Sequence, residues 1–438
     1  MSFQLDFFKE CIHSHRISDW NTWYQNEYPI QYKRGDKKKE PFTIEDITIS
    51  DVDLTGFCLY NARFNKVRFS NVIFGESNLY RSKFSNTLIE NSEFEKTNLE
   101  DTEFKNTKIK NCSFSHTKLS HSSFEESEYL NCSVSFSKFD HTTLYDTNII
   151  NSKIHYSDFK SAGIFCVTLD GVDGNSEVIE GDFKQATILK SSFKNTLMKM
   201  AGFENIMFFE DSSFQNVRFE ESSFKGSELQ NVDFLNSNMR GVDLQSTVLT
   251  ESHLSGTDFS YAKVDGITYF RYPTLSDTKE WVDENTYFTG VGLSSIRMPP
   301  TLRTTLEKNV RKLHWKEWYS QHKILRYFVQ IFWVISDYGS STWRIISSFI
   351  LLNLLFTIIY GVLSIFGIST IISITPTISG IITAFFQTIL LMFGILEFRI
   401  SDLGVVSLSI SLLHVVFGYI ILAALVTRFA ILFESSSP

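Results

Sequence analysis

From Leu54 onward an apolar residue returns every five positions, through Leu59, Phe64, Phe69 and Phe74 to Leu169, 24 centres without a break. Phe183 to Phe208 adds six more, and after a slip of one residue Phe214 to Val264 adds eleven, for 41 in all. In a chain that is 43% apolar, such a run has a chance expectation on the order of 10⁻¹⁵. Two residues before each centre the side chain is small (Ala62, Val67, Ser77, Thr87, Ser92), with Phe57 and Ile206 the bulky exceptions. The other positions are mostly Asn, Asp, Glu, Lys, Ser or Arg. Neither the 3.6-residue period of a helix nor the 2.0-residue period of a strand sustains a stripe of five. The pattern predicts a square coil in which each quintet forms one side, its centre and its small residue turned inward and its polar residues turned to water.

The C-terminal part follows another rule. Residues 345–396 form a run of 52 without Asp, Glu, Lys or Arg, and residues 403–427 another of 25. About 20 apolar residues cross a bilayer's hydrocarbon core, so Ile345–Phe366 and Leu403–Phe433 read as spans. Between them Ile378–Leu396 is apolar and about 19 residues long, set off by the Ser/Thr-rich Ile368–Thr377 with Pro376. Before the first span stand Arg303, Lys308, Arg311, Lys312, Lys316, Lys323, Arg326 and Arg344, and Arg428 ends the second, while the stretch between holds only Arg399. Basic residues favour the cytoplasmic side. Two spans with a re-entrant middle segment therefore fit better than three, and both termini are expected in the cytoplasm, with the chain in a cell (inner) membrane.

Composition sharpens the division. All seven prolines and all seven tryptophans avoid residues 42–272. The formal charge of −8 argues against a nucleic-acid groove binder, which carries a basic face. Cys11, Cys58, Cys112, Cys132 and Cys166 come without an apolar leader segment, so a reducing compartment and no disulfides are expected.

Quintets such as Gly241-Val242-Asp243-Leu244-Gln245 and Gly256-Thr257-Asp258-Phe259-Ser260 resemble the pentapeptide-repeat family over about 215 residues. The resemblance implies an all-β right-handed quadrilateral β-helix with four quintets per coil. Forty-one quintets then make about ten coils, roughly 50 Å long at the ~4.8 Å spacing of stacked strands. Some members of the family are DNA-shaped and bind topoisomerases, which implies a protein partner, reached by nucleic-acid mimicry, as a competing role. Span, short helix, polar turn and span in that order over about Asp337–Ser435 resemble the two-transmembrane potassium-channel-like pore family, an α-helical membrane domain with a re-entrant pore helix. Ile382–Thr388 is similar to its pore helix. A "DYG" segment, here Asp337-Tyr338-Gly339, joins repeats to pores in a known bacterial arrangement.

The resemblance implies a homotetramer, with inorganic ions as its cargo and lipid as its surroundings, and places a filter at Met392-Phe393-Gly394-Ile395-Leu396 after Thr388. Potassium filters read Thr-Val-Gly-Tyr-Gly; here only the first glycine remains, with Glu397 following. The expectation is a weakly selective pore, or one selective by other means. Around a tetramer Glu397 and Asp402 form acidic rings that favour cations, and Arg399 opposes them. In the second span His414 is read as pore-lining or pH-responsive, or as an imidazole bonded to a neighbouring helix. Gly418 is read as a gating hinge or as a close-packing point.

Cys112 and Cys132 lie one full coil apart, which suggests a stacked metal or redox pair or, more simply, two small core residues. Asp170–Glu180 resembles half a calcium loop and is read as a loop between coils. No nucleophile, base and carboxylate set or phosphate loop is present, so neither an enzyme nor a cofactor is expected. The expected boundaries are an N-terminal cap at 1–46, the β-helix at 47–272, a linker with amphipathic juxtamembrane helices at 273–336, and the pore domain at 337–438. The aromatics Trp315, Trp318, Tyr319, Tyr327, Phe328, Phe332 and Trp333 suit either a helix in the headgroup layer or a packed core.

Overall fold

A computed structural model describes residues 2–29, 40–170, 176–272, 281–323, 325–366, 368, 371–372, 375, 377–395 and 404–436. The chain divides into two units, Met1–Leu306 and Glu307–Pro438.

The first unit is a β-solenoid of about eleven turns. Strands pair in parallel with the strand 20 residues later, as in Phe84↔Phe104 and Ile89↔Ile109. The four quintets of a coil form four ladders. Three are sheets of twelve, eight and six strands, and the fourth is a chain of single bridges that begins Cys58–Asn78–Asn98–Lys118. Each centre stacks on its equivalent in the next coil, and Phe84, Phe104 and Phe124 lie with ring centroids 4.9 and 4.6 Å apart and planes within 6°. The small residue two positions earlier is also buried, and where it is Ser or Thr its hydroxyl is bonded at most positions, Ser77 excepted. Thr107 Oγ1 donates to Phe84 O at 3.2 Å, and Val72 N donates to Ser92 Oγ at 3.1 Å. Such bonds are what allow Ser and Thr inside, where an unpaired hydroxyl costs about 1–3 kcal/mol.

The residue two positions after each centre turns the corner in the left-handed conformation, from Asp46 (φ 54°) through Asn61 (59°) to Tyr261 (60°). Asparagine tolerates that region best among residues with a side chain, which accounts for Asn71, Asn91, Asn111, Asn131 and Asn151 along one corner. Their amides also bond up the column, Asn111 to Asn91 at 3.1 Å and Asn131 to Asn111 at 3.2 Å.

The register corrects the sequence reading in two places. Phe209, not Phe208, is the core centre: it is fully buried and pairs with Ile188, so the one-residue slip falls between Phe203 and Phe209. Val178 is a further centre, pairing with Ile154, so the stretch read as a loop at 170–180 rejoins the ladder by Glu177; residues 171–175 lie outside the described residues. Val264 keeps its place over Leu244, since Lys263 bridges Asp243, but it closes the strict period. It is half-buried, and Phe270 takes the next place, pairing with Leu249. The solenoid also exceeds the expected 47–272. It begins at the strand Thr43–Glu45, paired with Arg63–Asn65, and continues to Arg297, bridged to Tyr269, with Phe288 stacked on Phe259 at 4.7 Å.

Two helices, α1 (Ser2–His13) and α2 (Ile17–Glu27), lie over the first coil. Trp20 is fully buried among Phe8, Phe42 and Phe57, and donates to Cys58 O at 2.8 Å; Tyr24 donates to Tyr60 O at 2.8 Å. These bonds occupy carbonyls that an open coil end would offer to another strand. At the other end Leu302 and Leu306, early in α3 (Pro300–Gln321), are buried.

The second unit holds the rest of α3 with α4 (Arg326–Ser336), α5 (Thr342–Ile365), α6 (Ile378–Met392) and α7 (Val405–Ser436). Ser341 caps α5 by accepting from Arg344 N, and Thr377 caps α6 by accepting from Gly380 N at 3.1 Å. α7 packs against α4, α5 and α6.

Candidate pore site in the helical unit

α5 and α7 are long and apolar enough to cross a membrane, with mean hydropathy 2.2 and 2.3 over their best windows, and only 28% of each window is buried within the unit. Their outer faces carry Ile350, Leu351, Leu354, Leu355 and Ile358 on α5 and Leu412, Leu413, Val416 and Val426 on α7, all exposed. α6 is different. Its 15 residues extend about 22 Å, short of the ~30 Å hydrocarbon core.

The far end of α6 sits at the middle of both long helices. Met392, its last residue, receives the Asn353 Nδ2 group at 3.5 Å from the centre of α5. It also lies so close to Gly418 on α7 that a Cβ there would stand 2.0 Å from Met392 Cγ. Gly418 is thus a contact point between helices, the close-packing alternative in the sequence reading. Beyond Met392, Phe393 is exposed and Gly394 turns the chain with φ 69° and open space where a Cβ would be, with Ile395 exposed after it. Leu396, Glu397, Arg399 and Asp402 lie outside the described residues.

His414 faces neither lipid nor an outer surface. Its ring stacks on Phe356 with centroids 4.1 Å apart, and Nδ1 is 3.5 Å from Tyr360 Oη, so the expectation that it lines a pore is corrected to burial against α5. The reason is helical spacing: Ser407, Ser411, His414 and Gly418 share one face of α7, and Asn353, Thr357 and Tyr360 share one of α5. These two faces meet. Tyr360 Oη donates to Ser411 Oγ at 3.4 Å, and Thr357 and Thr388 hydroxyls are 3.3 Å apart, so Thr388, expected at the filter, is instead buried between α6 and α5. The α5 partners were missed in sequence, although their spacing inside an apolar run was the available signal.

Where α4 meets α5, Asp337 (φ 51°), Tyr338 (53°) and Gly339 (78°) form a turn in which three successive residues are left-handed. Asp337 accepts from Lys308 Nζ at 2.7 Å and pairs with Arg344 at 3.1 Å. Burial opposes its charge, but the bonds from Lys308 and Ser340 outweigh that and hold its carboxyl below the ordinary carboxylate range. Arg311 donates to Tyr338 O at 3.0 Å, and Arg428 to Gly339 O at 2.9 Å and Thr342 Oγ1 at 3.2 Å. One turn therefore gathers α3, α5 and the end of α7.

Residues 49–86, 90–125, 209–241 and 237–267 match the family described as pentapeptide repeats, in eight copies. The chain carries pentapeptide repeats. The match stops at residue 267, short of the helical unit. No curated protein matches the chain. Among solved structures, the pentapeptide repeat protein HetL, involved in heterocyst differentiation regulation in the cyanobacterium Nostoc, is similar at 14% identity, covering 51% of this chain and 91% of its own, with a TM-score of 0.22. The full-length plasmid-mediated fluoroquinolone resistance protein QnrB1 is similar at 12% identity, covering 61% and 99%, with a TM-score of 0.22. The A-module of a mannuronan C-5 epimerase from Azotobacter vinelandii covers 59% and 87% at 10% identity, with a TM-score of 0.28. At these values they carry no argument about activity.

Within the pentapeptide-repeat solenoid, Cys112 and Cys132 are buried one above the other. Burial pushes their thiols up to about 12 and about 11, so neither is a thiolate near neutral pH. Each instead donates to main-chain carbonyls, Cys112 to Lys110 O at 3.1 Å. Among the described residues no group of three or more His, Cys, Asp or Glu is arranged to hold a metal.

Proposed function

We propose that the chain is one subunit of an oligomeric, tetrameric membrane pore, assembled or gated through its pentapeptide-repeat solenoid. What supports this reading above all is the end of α6 held at the middle of two helices of spanning length, the geometry of a segment that enters a bilayer and stops at its midplane. An anchor that only tethers needs no such half-length helix. The left-handed Gly394 just past that end supports a turn back toward the side from which α6 came. Arg428 bonded to Thr342 and Gly339 sets the end of α7 beside the start of α5, and the basic residues gathered there support a cytoplasmic position for that side. Two spans and one half-length helix enclose no channel alone, which is the reason for several subunits. The transported species is an inorganic ion, and neither enzymatic chemistry nor a cofactor forms part of the reading.

A second reading, a non-conducting scaffold displayed at the membrane for a protein partner, is favoured by one observation. The corner residues His116, Phe136 and Tyr156 stack face to face at 5.1 and 4.9 Å, and Phe136 and Tyr156 are exposed. Recording purified protein in a planar bilayer with asymmetric KCl separates the two. Discrete currents that disappear or change selectivity in Gly394→Val support the pore, and silence from a folded, oligomeric preparation supports the scaffold.

A further inference from the structure

Among the described residues, three polar side-chain atoms on the facing sides of α5 and α7 are fully enclosed and have no hydrogen-bond partner: Asn353 Oδ1, Ser407 Oγ and His414 Nε2. They occur on the two helix faces that meet in the interior, among side chains that are otherwise paired. For His414 the deficit does not depend on tautomer. If Nδ1 accepts from Tyr360, Nε2 carries an unused proton; if Nδ1 donates, Nε2 carries an unused lone pair. Asn353 spends its amide nitrogen on Phe349 O at 2.9 Å and on Met392 Sδ, and leaves its oxygen unused. Buried polar groups in native proteins are rarely left so, and when protein atoms do not pair them, water does.

We propose that the interface of α5 and α7 takes up internal water, which pairs His414 Nε2, Asn353 Oδ1 and Ser407 Oγ at separate points along it. Water fits better than a cation, because residues 345–396 and 403–427 contain no carboxylate to balance a charge, and His414 is the one ionisable side chain on that face of α7. The groups facing it are Tyr360 and Phe356 from α5 and Ser411 from its own helix. Water offers both donor and acceptor, as an imidazole of either tautomer, an amide oxygen and a hydroxyl require. The site lies between helices of one subunit and goes beyond the pore reading; it stands on packing and not on conduction.

Hydroxyl-radical footprinting of the full-length protein in lipid nanodiscs tests it, because radicals formed from bound water label the side chains beside that water. Tyr360 and His414 should take label despite their burial, as exposed Tyr327 does. The variant combining His414→Phe, Asn353→Leu and Ser407→Ala should lose most of the label at Tyr360 and keep it at Tyr327. Ser407→Ala alone, which removes only a hydroxyl and guards against misfolding, should give a partial loss. Unlabelled Tyr360 and His414 in the native protein, or labelling unchanged by these substitutions, would overturn the proposal. A bilayer preparation that conducts no ions leaves this result unaffected, so the two readings fail separately.

Discussion

Asp265 shows how much one side chain carries in a coil. It closes the turn after the last regular quintets by accepting from Ser246 N and Oγ at 2.9 Å and from Thr268 N at 2.8 Å and Oγ at 3.0 Å. Burial raises its pKa, but these hydrogen bonds outweigh that and place it well below the ordinary range. A carboxyl with a lowered folded-state pKa contributes stability that is present above the unfolded value, about 3.9, and fades as pH falls below it. Asp265→Asn should therefore lower the melting temperature at pH 7, and the gap from the native protein should narrow by pH 3. Calorimetry at the two pH values checks this, and a gap that does not depend on pH rejects the account. At the same scale the sequence was legible only in part. The centres were plain because they are apolar, but Phe208 and Phe209 are both phenylalanine, so only pairing with Ile188 shows which turns inward.

The contact of α6 with α7 is decided by one missing methyl group. Gly418→Ala would place carbon 2.0 Å from Met392 Cγ, and overpacking of that kind costs about 1–3 kcal/mol. Thermal unfolding in detergent should show that loss, and the double variant Gly418→Ala, Met392→Ala should recover most of it. A double variant as unstable as the sum of the two single changes contradicts direct contact. Elements of this unit were legible as two long apolar helices and a short apolar segment, because charge-free length speaks for itself. Which faces meet was not. His414 and Gly418 were noticed one by one, whereas their roles depend on Phe356, Tyr360 and Met392, which tertiary packing brings from 26 to 58 residues away in the chain.

At the scale of the whole molecule, the proposed pore expects lipid around the exposed apolar faces of α5 and α7. Leu354 and Leu413 are both about half exposed, and arginine near the centre of a spanning helix costs about 2.5–3.5 kcal/mol. The variant with Leu354→Arg and Leu413→Arg should fall from the membrane fraction under alkaline carbonate while the native protein stays, and equal retention argues against insertion. The solenoid bears on the whole in another way. Its partners are usually 20 residues apart, yet Ile154 pairs with Val178 after 24 and Ile188 with Phe209 after 21. In both cases the surplus is absorbed within one side and the next ladder resumes in register. The fold therefore has something like a reading frame. Removing one whole coil deletes a rung and leaves every later residue facing its original direction, whereas removing a single quintet turns everything downstream by a quarter revolution and presents a different side to any partner.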